Sequence, residues 1–485
     1  MRQAKSAKNN IILRLWALLL GFFPVIMFPP LIMAVTAGER YMIPGFAVPS
    51  FITAILALIS FFSLRKNKIQ LSVKLGFLLV CGSWIWASFI GAVPFYSAGL
   101  NFTDAFFESA CTFATTGGTV IDNIEAMPRS LLLWRSLAHW FGGIGIVMIS
   151  VALMPLLGIG GFQLVKAEAP GPEREKITPR ITATAKILWL VYCALTFVVF
   201  CLYLLGGMHW FDALCHALST MASGGVSTKN AGLVAFNSSF IEAVATVFML
   251  LAGFNFNLYY RLLQGKFSEI KNNTEARAYL VIFALAVGII TLSLLPVYGS
   301  FVSALRYAAY QSASMLSTTG AAIANYETWP GLARMVLFGL MFIGGCSGST
   351  AGGIKVIRHV ILWKQMGNEL RKVVYPRGIF SIQLNKRVGR KDVIYGTAAF
   401  IFVYMAIVAA TTLVTAASGI DIFSSFSASL SIMGNIGVGF GAAGPFHNYG
   451  AFPNHIKWLY SFVMLAGRLE IWTMLILFNP VYWRK

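Results

Sequence analysis

The chain has 485 residues, of which 58% are hydrophobic and only 11% are charged. This composition excludes a soluble globular domain and predicts a polytopic membrane protein. The formal net charge is +20, but the basic residues stand in short stretches between apolar runs rather than in a polar domain. We therefore expect the basic loops to meet membrane lipid, and we expect no nucleic acid as a partner.

Ten apolar runs are long enough to cross a bilayer. The first two form an N-terminal transmembrane hairpin, residues 1–70, and the other eight pair into four repeats. The spans are predicted at residues 11–36, 43–64, 72–97, 131–157, 182–206, 238–263, 277–298, 331–361, 393–418 and 455–479. If the spans alternate in direction, the basic loops all fall on one side. This positive-inside pattern predicts that both termini are cytoplasmic.

Between its two spans, each repeat carries a short helical stretch followed by a loop of small and hydroxyl residues. The repeats are residues 71–157, 182–263, 277–361 and 393–479, and their loops are residues 114–119, 222–226, 317–321 and 435–439. Each unit is too short to cross the bilayer. We align the loops on Gly117, Gly224, Gly320 and Gly437. We interpret Asp104, Asp212 and Asp421 as caps of the short helices, with Asp421 about a turn early.

The loops have the chemistry of a selectivity filter. An alkali cation that crosses a membrane needs oxygen atoms in place of its water, and extended backbone inside a protein-enclosed pore can supply carbonyl oxygens. Glycine permits the backbone dihedrals that this requires, and each short helix would direct its negative C-terminal end toward the ion. Four such loops around one axis predict a cation pathway.

The second span of the third repeat is interrupted by residues 344–353, which are mostly small or polar. Irregular backbone at this depth is tolerated only where it is buried or lines a watery cavity. We expect a flexible gating loop below the filter, with a glycine-rich packing kink as the alternative. A nucleotide-binding loop is excluded because Ile354 stands where that motif requires lysine. The predicted gate residues are Gly344, Gly345, Gly348, Ser349, Gly352, Gly353 and Arg468.

Arg468 stands near the middle of the last predicted span. A charge at the bilayer centre costs about 2.5–3.5 kcal/mol on insertion scales, so Arg468 is expected to face the interior. There it would act as an electrostatic barrier to cations near the pore or the glycine-rich loop. The alternative is a structural ion pair with Glu470 or another acid.

Two other classes of membrane protein are disfavoured. A transporter of organic solutes would show paired inverted repeats, whereas the four re-entrant units share one orientation. A membrane-embedded enzyme would need clustered polar residues within its spans, such as paired aspartates, and none occurs. The six cysteines have no C-x-x-C spacing, so the sequence predicts neither a zinc site nor a disulfide framework.

With these motifs, the chain resembles the Trk/Ktr/HKT superfamily of potassium transporters, and within it the bacterial Trk-type potassium uptake membrane subunits. The resemblance covers nearly the whole length. It rests on Thr115-Thr116-Gly117, Trp140-Phe141-Gly142-Gly143, Ala167-Glu168-Ala169-Pro170-Gly171-Pro172, residues 224–228, 344–350 and 352–355, Asn435-Ile436-Gly437 and Gly467-Arg468-Leu469-Glu470.

The resemblance implies an all-α fold with four membrane–pore–membrane repeats around one central pore and two extra N-terminal helices. It also implies that residues 344–353 form an intramembrane gate that Arg468 latches. The potassium-coordinating residues would be Thr115, Thr116, Gly117, Ala222, Ser223, Gly224, Thr318, Thr319, Gly320, Asn435, Ile436 and Gly437.

As for activity and partners, the resemblance implies potassium uptake across the bacterial inner membrane, with K⁺ as the transported ion, no covalently bound cofactor and no enzyme activity. It implies a homodimer and a cytosolic regulatory ring subunit that binds a nucleotide of the NAD or ATP type. The basic loop at residues 362–392 suits such a partner, and a lipid-facing loop is the alternative. A sodium-permeable channel, or a symporter of the same fold that couples protons or sodium, remains open.

Overall fold

The computed structural model describes residues 12–64, 73–145, 181–385, 387–388 and 391–484 of the chain. In these ranges the only strands are β1 (Gln383–Leu384) and β2 (Arg387–Val388), which form a short antiparallel hairpin. The predicted all-α membrane fold is confirmed. The helices are α1 (Ile12–Thr36), α2 (Ile43–Leu64), α3 (Val73–Ser97), α4 (Phe102–Phe113), α5 (Arg129–Ile144), α6 (Ile181–Leu205), α7 (Trp210–Met221), α8 (Ser239–Ala252), α9 (Phe256–Leu263), α10 (Phe267–Lys271), α11 (Thr274–Tyr298), α12 (Phe301–Leu316), α13 (Gly331–Leu340), α14 (Val356–Val374), α15 (Lys391–Ala417), α16 (Ile422–Gly434), α17 (Asn454–Arg468), α18 (Trp472–Leu475) and α19 (Pro480–Trp483).

Six of the described helices are long and apolar enough to cross a membrane: α1, α2, α3, α6, α11 and α15. Two predicted continuous spans are instead bent. Residues 238–263 form α8 and α9, which meet at 93°, and the chain turns by 111° after α17. Asn255 causes the first break by capping a new helix, because its side chain accepts a hydrogen bond from the N–H of Asn257 at 2.9 Å. The second break coincides with positive φ angles at Glu470 and Ile471.

In the second span of the first repeat, the described residues form one helix and one residue beyond it. Helix α5 stops at Ile144, and the next residue, Gly145, has φ +88°. The remainder of the predicted span 131–157 lies outside the described residues, as do the motif at residues 167–172 and the ends of the N-terminal hairpin. In every repeat, therefore, the described part of the second span is shorter than a bilayer-crossing helix.

Helices α4, α7, α12 and α16 are the short helices that the sequence predicts before each loop. The cap assignments of Asp104 and Asp212 are wrong, whereas that of Asp421 is confirmed. Asn101 caps α4 and Asp421 caps α16, each through a side-chain oxygen that accepts a backbone N–H at 2.9 Å. Asp104 instead lies 2.7 Å from the Nζ of Lys457, and Asp212 accepts a hydrogen bond from the Thr228 hydroxyl at 2.6 Å.

The repeats pack as a closed ring, because the second span of each repeat contacts the short helix of the next. Helix α5 packs against α7, α8 against α12, and α17 against α4. The remaining contact is aromatic: the ring of Phe338 on α13 lies 5.7 Å from that of Phe423 and 6.0 Å from that of Phe426 on α16. The short helices are thereby directed toward a common centre, while α2, α6, α11 and α15 expose apolar side chains outward.

Candidate functional site

Four turns of the same backbone shape follow the four short helices. Each begins with a non-glycine residue in the left-handed region, where a β-carbon is unfavourable. These residues are Thr115 (φ +52°), Ser223 (+55°), Thr318 (+55°) and Asn435 (+54°). Two positions later each turn has a glycine with positive φ, namely Gly117 (+75°), Gly225 (+65°), Gly320 (+74°) and Gly437 (+90°).

The hydrogen bonds of the turns agree with this alignment. In each repeat, the residue between the two left-handed positions donates its backbone N–H to a carbonyl five residues earlier, at the end of the short helix. The four bonds are Thr116 to Cys111 (3.0 Å), Gly224 to Ser219 (2.9 Å), Thr319 to Ser314 (2.8 Å) and Ile436 to Ser431 (2.9 Å). The four turns are therefore copies of one structure.

This geometry corrects the predicted alignment of the second repeat. The counterpart of Gly117, Gly320 and Gly437 is Gly225, and Gly224 takes the place of Thr116. Ala222 precedes the turn, as the C-cap of α7. The predicted trio Ala222, Ser223 and Gly224 is thus one residue early, because two adjacent glycines offer two possible alignments.

The four turns touch one another in order and close a ring. At each of the four glycines, an added β-carbon would come within 2.4 Å of a carbonyl oxygen in the next repeat. The pairs are Gly117 with Gly224 (2.4 Å), Gly225 with Thr319 (1.9 Å), Gly320 with Ile436 (1.8 Å) and Gly437 with Thr116 (1.9 Å). Glycine is required here for two reasons, the positive φ and the adjacent carbonyl.

The ring offers neutral oxygen atoms. Its turns contain backbone carbonyls and hydroxyl groups, and no carboxylate occurs at residues 114–119, 222–226, 317–321 or 435–439. The side chain of Asn435 donates to the hydroxyl of Thr116 at 3.0 Å, which joins the fourth turn to the first. Hard oxygen ligands without a fixed negative charge suit a monovalent alkali cation that must bind and then leave.

Behind the ring, side chains from the short helices hold the segment that follows each turn. Glu108 does so with one oxygen, which accepts from the hydroxyl of Thr119 at 2.5 Å and from the backbone N–H of Val120 at 2.6 Å. The other contacts are Gln311 with the N–H of Ile323 (3.1 Å), Ser427 with the N–H of Phe440 (2.7 Å) and His216 with the hydroxyl of Ser227 (2.9 Å).

Glu108 is also half of a buried ion pair that sequence reasoning missed. Its second oxygen lies 3.3 Å from the Nε of Arg135 on α5, and the two side chains are 0% and 3% exposed. A buried carboxylate is tolerated only with a partner of opposite charge and further hydrogen bonds, and Glu108 has both. The available signal was a charged residue inside each of two apolar segments, which is uncommon enough to mark a functional region.

Directly below the ring, residues 341–355 form a non-helical loop between α13 and α14. Its neck is closed by a hydrogen bond from the N–H of Gly344 to the carbonyl of Ile354 at 2.9 Å. The N–H of Gly352 donates to the hydroxyl of Thr318 at 2.7 Å, and the hydroxyls of Thr350 and Ser223 lie 2.8 Å apart. The loop therefore contacts two members of the ring.

Arg468 binds this loop through backbone carbonyls. Its guanidinium donates to the carbonyl of Thr350 at 2.5 Å and to those of Gly142 and Gly143 at 2.7 Å each. The glycines lie in the last turn of α5, at the negative end of the helix. Arg468 thus joins the loop of the third repeat to the first repeat.

Glu470 takes a different partner from the one considered in the sequence. It pairs with Arg358 of α14, whose guanidinium also lies 3.7 Å from the centre of the Phe400 ring. Glu275 at the start of α11 is a further anchor, because one of its oxygens accepts the N–H of Ser347 at 2.7 Å and that of Ile357 at 3.2 Å. One carboxylate thereby joins the middle of the loop to the first turn of α14.

Comparison with known proteins places this arrangement in a family. Residues 43–485 match the family described as TrkH, cation transport protein. The chain is 35% identical to the Trk system potassium uptake protein TrkH of Halomonas elongata, over 98% of this chain and 99% of that protein. It is 37% identical to TrkH of Escherichia coli K12, over 87% and 88% of the two chains. The crystal structure of the potassium transporter TrkH from Vibrio parahaemolyticus is similar with a TM-score of 0.87 and 34% identity, and covers 98% of this chain and 99% of that one.

Proposed function

Since the chain belongs to the TrkH family of cation transport proteins, we propose that its four-turn ring is a selectivity filter through which potassium ions enter the bacterial cell. The protein is a multi-pass membrane transporter and not an enzyme. The relatives that carry the name potassium uptake protein support potassium as the transported ion. The proposed coordinating residues are Thr115, Thr116, Gly117, Ser223, Gly224, Gly225, Thr318, Thr319, Gly320, Asn435, Ile436 and Gly437.

The closed ring of equivalent carbonyls is the observation that carries this proposal. Thr116, Gly224, Thr319 and Ile436 donate equivalent backbone N–H hydrogen bonds to the short helices, and their own carbonyl oxygens lie at the contacts between successive turns. Such oxygens replace the water that potassium loses on entry. The helix ends that lead into the turns add a negative potential, and inward movement gains about 2.3 kcal/mol per charge for each 100 mV of membrane potential.

Below the ring, we propose that residues 344–353 are the gate and that Arg468 holds it closed. The loop lies against Ser223 and Thr318, so an ion that leaves the ring must pass it. Arg468 binds the carbonyl of Thr350 and adds a positive charge at the same depth. Movement of the loop away from α5 would break these hydrogen bonds and open the pathway.

The surroundings of the protein are part of the proposal. The positive-inside pattern supports cytoplasmic termini, and an inner-membrane location follows from a bacterial uptake role. We propose that the protein acts as a homodimer with a cytosolic nucleotide-binding ring subunit, since the relatives are named as parts of a Trk system. The basic helix α14 and the hairpin that follows it would face that subunit.

The test is uptake of radioactive rubidium, a potassium analogue, into proteoliposomes that contain the purified protein. Uptake that excess potassium abolishes and equal sodium leaves intact is the expected result. Equal inhibition by both ions would overturn potassium as the preferred substrate. Uptake that requires an imposed proton or sodium gradient would instead establish a coupled symporter.

A transporter whose gate is closed would also give no uptake. A variant with a released loop is therefore needed to distinguish a closed gate from the absence of transport. Arg468→Ala removes the hydrogen bonds that hold the loop. If neither the unmodified protein nor this variant takes up rubidium while both remain folded in detergent, the transport proposal is wrong. Uptake by the variant alone would support both the filter and the gate.

A further inference from the structure

A cavity of about 50 Å³ lies behind the second and third turns. It borders two members of the ring, Gly225 and Thr319. His216 of α7, Ala245 of α8 and Tyr310 of α12 also line it. The cavity therefore reaches from the filter to the surrounding helices on one side of the pore.

The walls of this cavity are polar enough to hold water. The ring nitrogen Nε2 of His216 and the hydroxyl of Ser227, both on the wall, lie 2.9 Å apart. The hydroxyl of Tyr310 is buried and has no hydrogen-bond partner among the residues that the structure describes. A buried polar group in that position ordinarily binds an ordered water. The volume exceeds the roughly 10–15 Å³ that a single water requires, and at a share of about 30 Å³ for each water in the liquid it accommodates one or two molecules.

Water at this place has a consequence for the ring. The carbonyl of Thr319 is one of the four that meet a filter glycine, and Thr319 also borders the cavity. Packed side chains hold a neighbouring carbonyl at a fixed position, whereas water exchanges hydrogen bonds and lets it move. A turn that can move inward can follow the smaller sodium ion, and this lowers discrimination between the two ions.

We propose that the cavity behind the second and third turns holds water, and that this water lowers the preference of the filter for potassium over sodium. The inference rests on the proposed potassium function. It assigns a specificity role to Ala245, which lies behind the turns and is 1% exposed. A larger side chain at this position would fill the cavity without changing any residue of the ring.

The first test replaces Ala245 by leucine. Rubidium uptake is measured against increasing potassium or sodium, and the ratio of the two half-inhibiting concentrations gives the selectivity. Filling the cavity should raise the preference for potassium about threefold or more, because the carbonyls are held more rigidly. Ala243→Leu is the matched control, since it makes the same change on an exposed position of the same helix and should leave the ratio unchanged.

A second measurement detects the water itself and does not depend on a folded leucine variant. Hydroxyl radicals made by X-ray radiolysis oxidise side chains next to bound water. Met249 lines the cavity and Met315 does not, yet both are almost completely buried, at 1% and 0% exposure. Oxidation of Met249 without oxidation of Met315 is expected, and the smaller substitution Ala245→Val should reduce it.

The outcomes separate this inference from the function on which it rests. Intact potassium-sensitive uptake with the same ratio in both leucine variants would overturn the specificity role alone. If Met249 and Met315 are equally protected from oxidation, the proposal that the cavity holds water is wrong. Absence of potassium-sensitive uptake in the unmodified protein and in Arg468→Ala would overturn the proposed function, and the specificity role with it.

Discussion

The contact between the fourth and first repeats differs from that between the second and third. At the first contact, Tyr449 fills the space behind the ring: a β-carbon on Gly118 would lie 2.8 Å from its aromatic ring. The N–H of Tyr449 donates to the carbonyl of Thr119 at 2.7 Å, and its ring lies 5.6 Å from that of Phe107. At the second contact, the corresponding space is the cavity.

The four turns have the same backbone geometry, but what lies behind them is not the same. A filter must hold its oxygens at a set distance against the field of the ion, and packed aromatic rings resist displacement better than water does. We therefore expect the fourth–first contact to be the rigid part of the ring and the second–third contact to be the adaptable part. Substitutions at equivalent positions in the two parts should differ in effect.

The largest difference is expected between Gly437→Ala and Gly225→Ala. A β-carbon on Gly437 would lie 1.9 Å from the carbonyl of Thr116 and 2.5 Å from the N–H nitrogen of Gly118, in the packed region. One on Gly225 would lie 1.9 Å from the carbonyl of Thr319, which can shift into the cavity. Rubidium uptake should fall about 100-fold or more in Gly437→Ala, and by about tenfold in Gly225→Ala.

Gly288→Ala is the control for these two variants, because a β-carbon there meets no atom within 4 Å. It should keep full uptake. Equal losses of rubidium uptake in Gly437→Ala and Gly225→Ala would show that the two contacts are equally rigid. Such losses would still support the ring as the ion pathway.

The next comparison concerns the anchors behind the turns. Glu108→Ala removes two hydrogen bonds and leaves Arg135 buried without its partner, which should cost about 3–5 kcal/mol of stability. Gln311→Ala removes one neutral hydrogen bond to the N–H of Ile323 and should cost about 0.5–1.5 kcal/mol. Denaturant unfolding in detergent, followed by tryptophan fluorescence, measures both.

The double variant Glu108→Gln with Arg135→Met tests whether the charge itself is needed. Glutamine keeps an oxygen for Thr119 and Val120, and methionine removes the unpaired cation. If the double variant is as stable as the unmodified protein but less selective for potassium, the negative charge of Glu108 is needed to position the first turn. Full recovery of both properties would show that only the hydrogen-bond acceptor matters.

Arg468 connects the third repeat to the first, because it binds the loop of the third repeat and the end of α5 in the first. Arg468→Ala should raise basal rubidium uptake about tenfold, which corresponds to about 1.4 kcal/mol of bias toward the open loop. Arg468→Lys keeps the charge but loses the planar set of donors and should give an intermediate rate. Uptake at or below that of the unmodified, folded protein would contradict the latch.

The sequence was sufficient for the long spans and the four short helices, because apolar length and hydroxyl-rich loops report them directly. It was not sufficient for the breaks after α8 and α17. Residues 253–255 interrupt an apolar stretch only briefly, and the left-handed angles of Glu470 and Ile471 have no sequence signal. In each case the surrounding tertiary contacts decide the backbone.

The candidate site shows the same division. Spacing located every turn, but Gly224 and Gly225 are both glycine, and only the backbone angles distinguish the filter position. Arg468 was identified because a charge inside a span is unusual, and its carbonyl partners depend on where α5 ends. The cavity could not be predicted, since its walls come from side chains of several separate segments.

The smallest expected effect concerns the N-terminal caps of two short helices, α16 at the fourth–first contact and α12 at the second–third contact. The side chain of Asp421 caps α16, whereas Ser300 precedes α12 without a side-chain cap hydrogen bond. Asp421→Ala should therefore lower stability by about 1 kcal/mol, and Ser300→Ala by a few tenths. Asp421→Asn retains a capping oxygen and should be close to the unmodified protein in a thermal unfolding assay.

The pH dependence of that assay gives an independent check on the cap. Hydrogen bonds from the side chain and N–H of Ser424 hold the pKa of Asp421 below its usual range. A carboxyl group with a lowered pKa in the folded state contributes stability above its ordinary pKa, and this contribution is lost as the pH falls through the lowered value. The difference between the unmodified protein and Asp421→Asn should therefore change only at acidic pH. A constant difference from pH 7 to pH 3 would mean that the carboxylate charge contributes nothing to the start of α16.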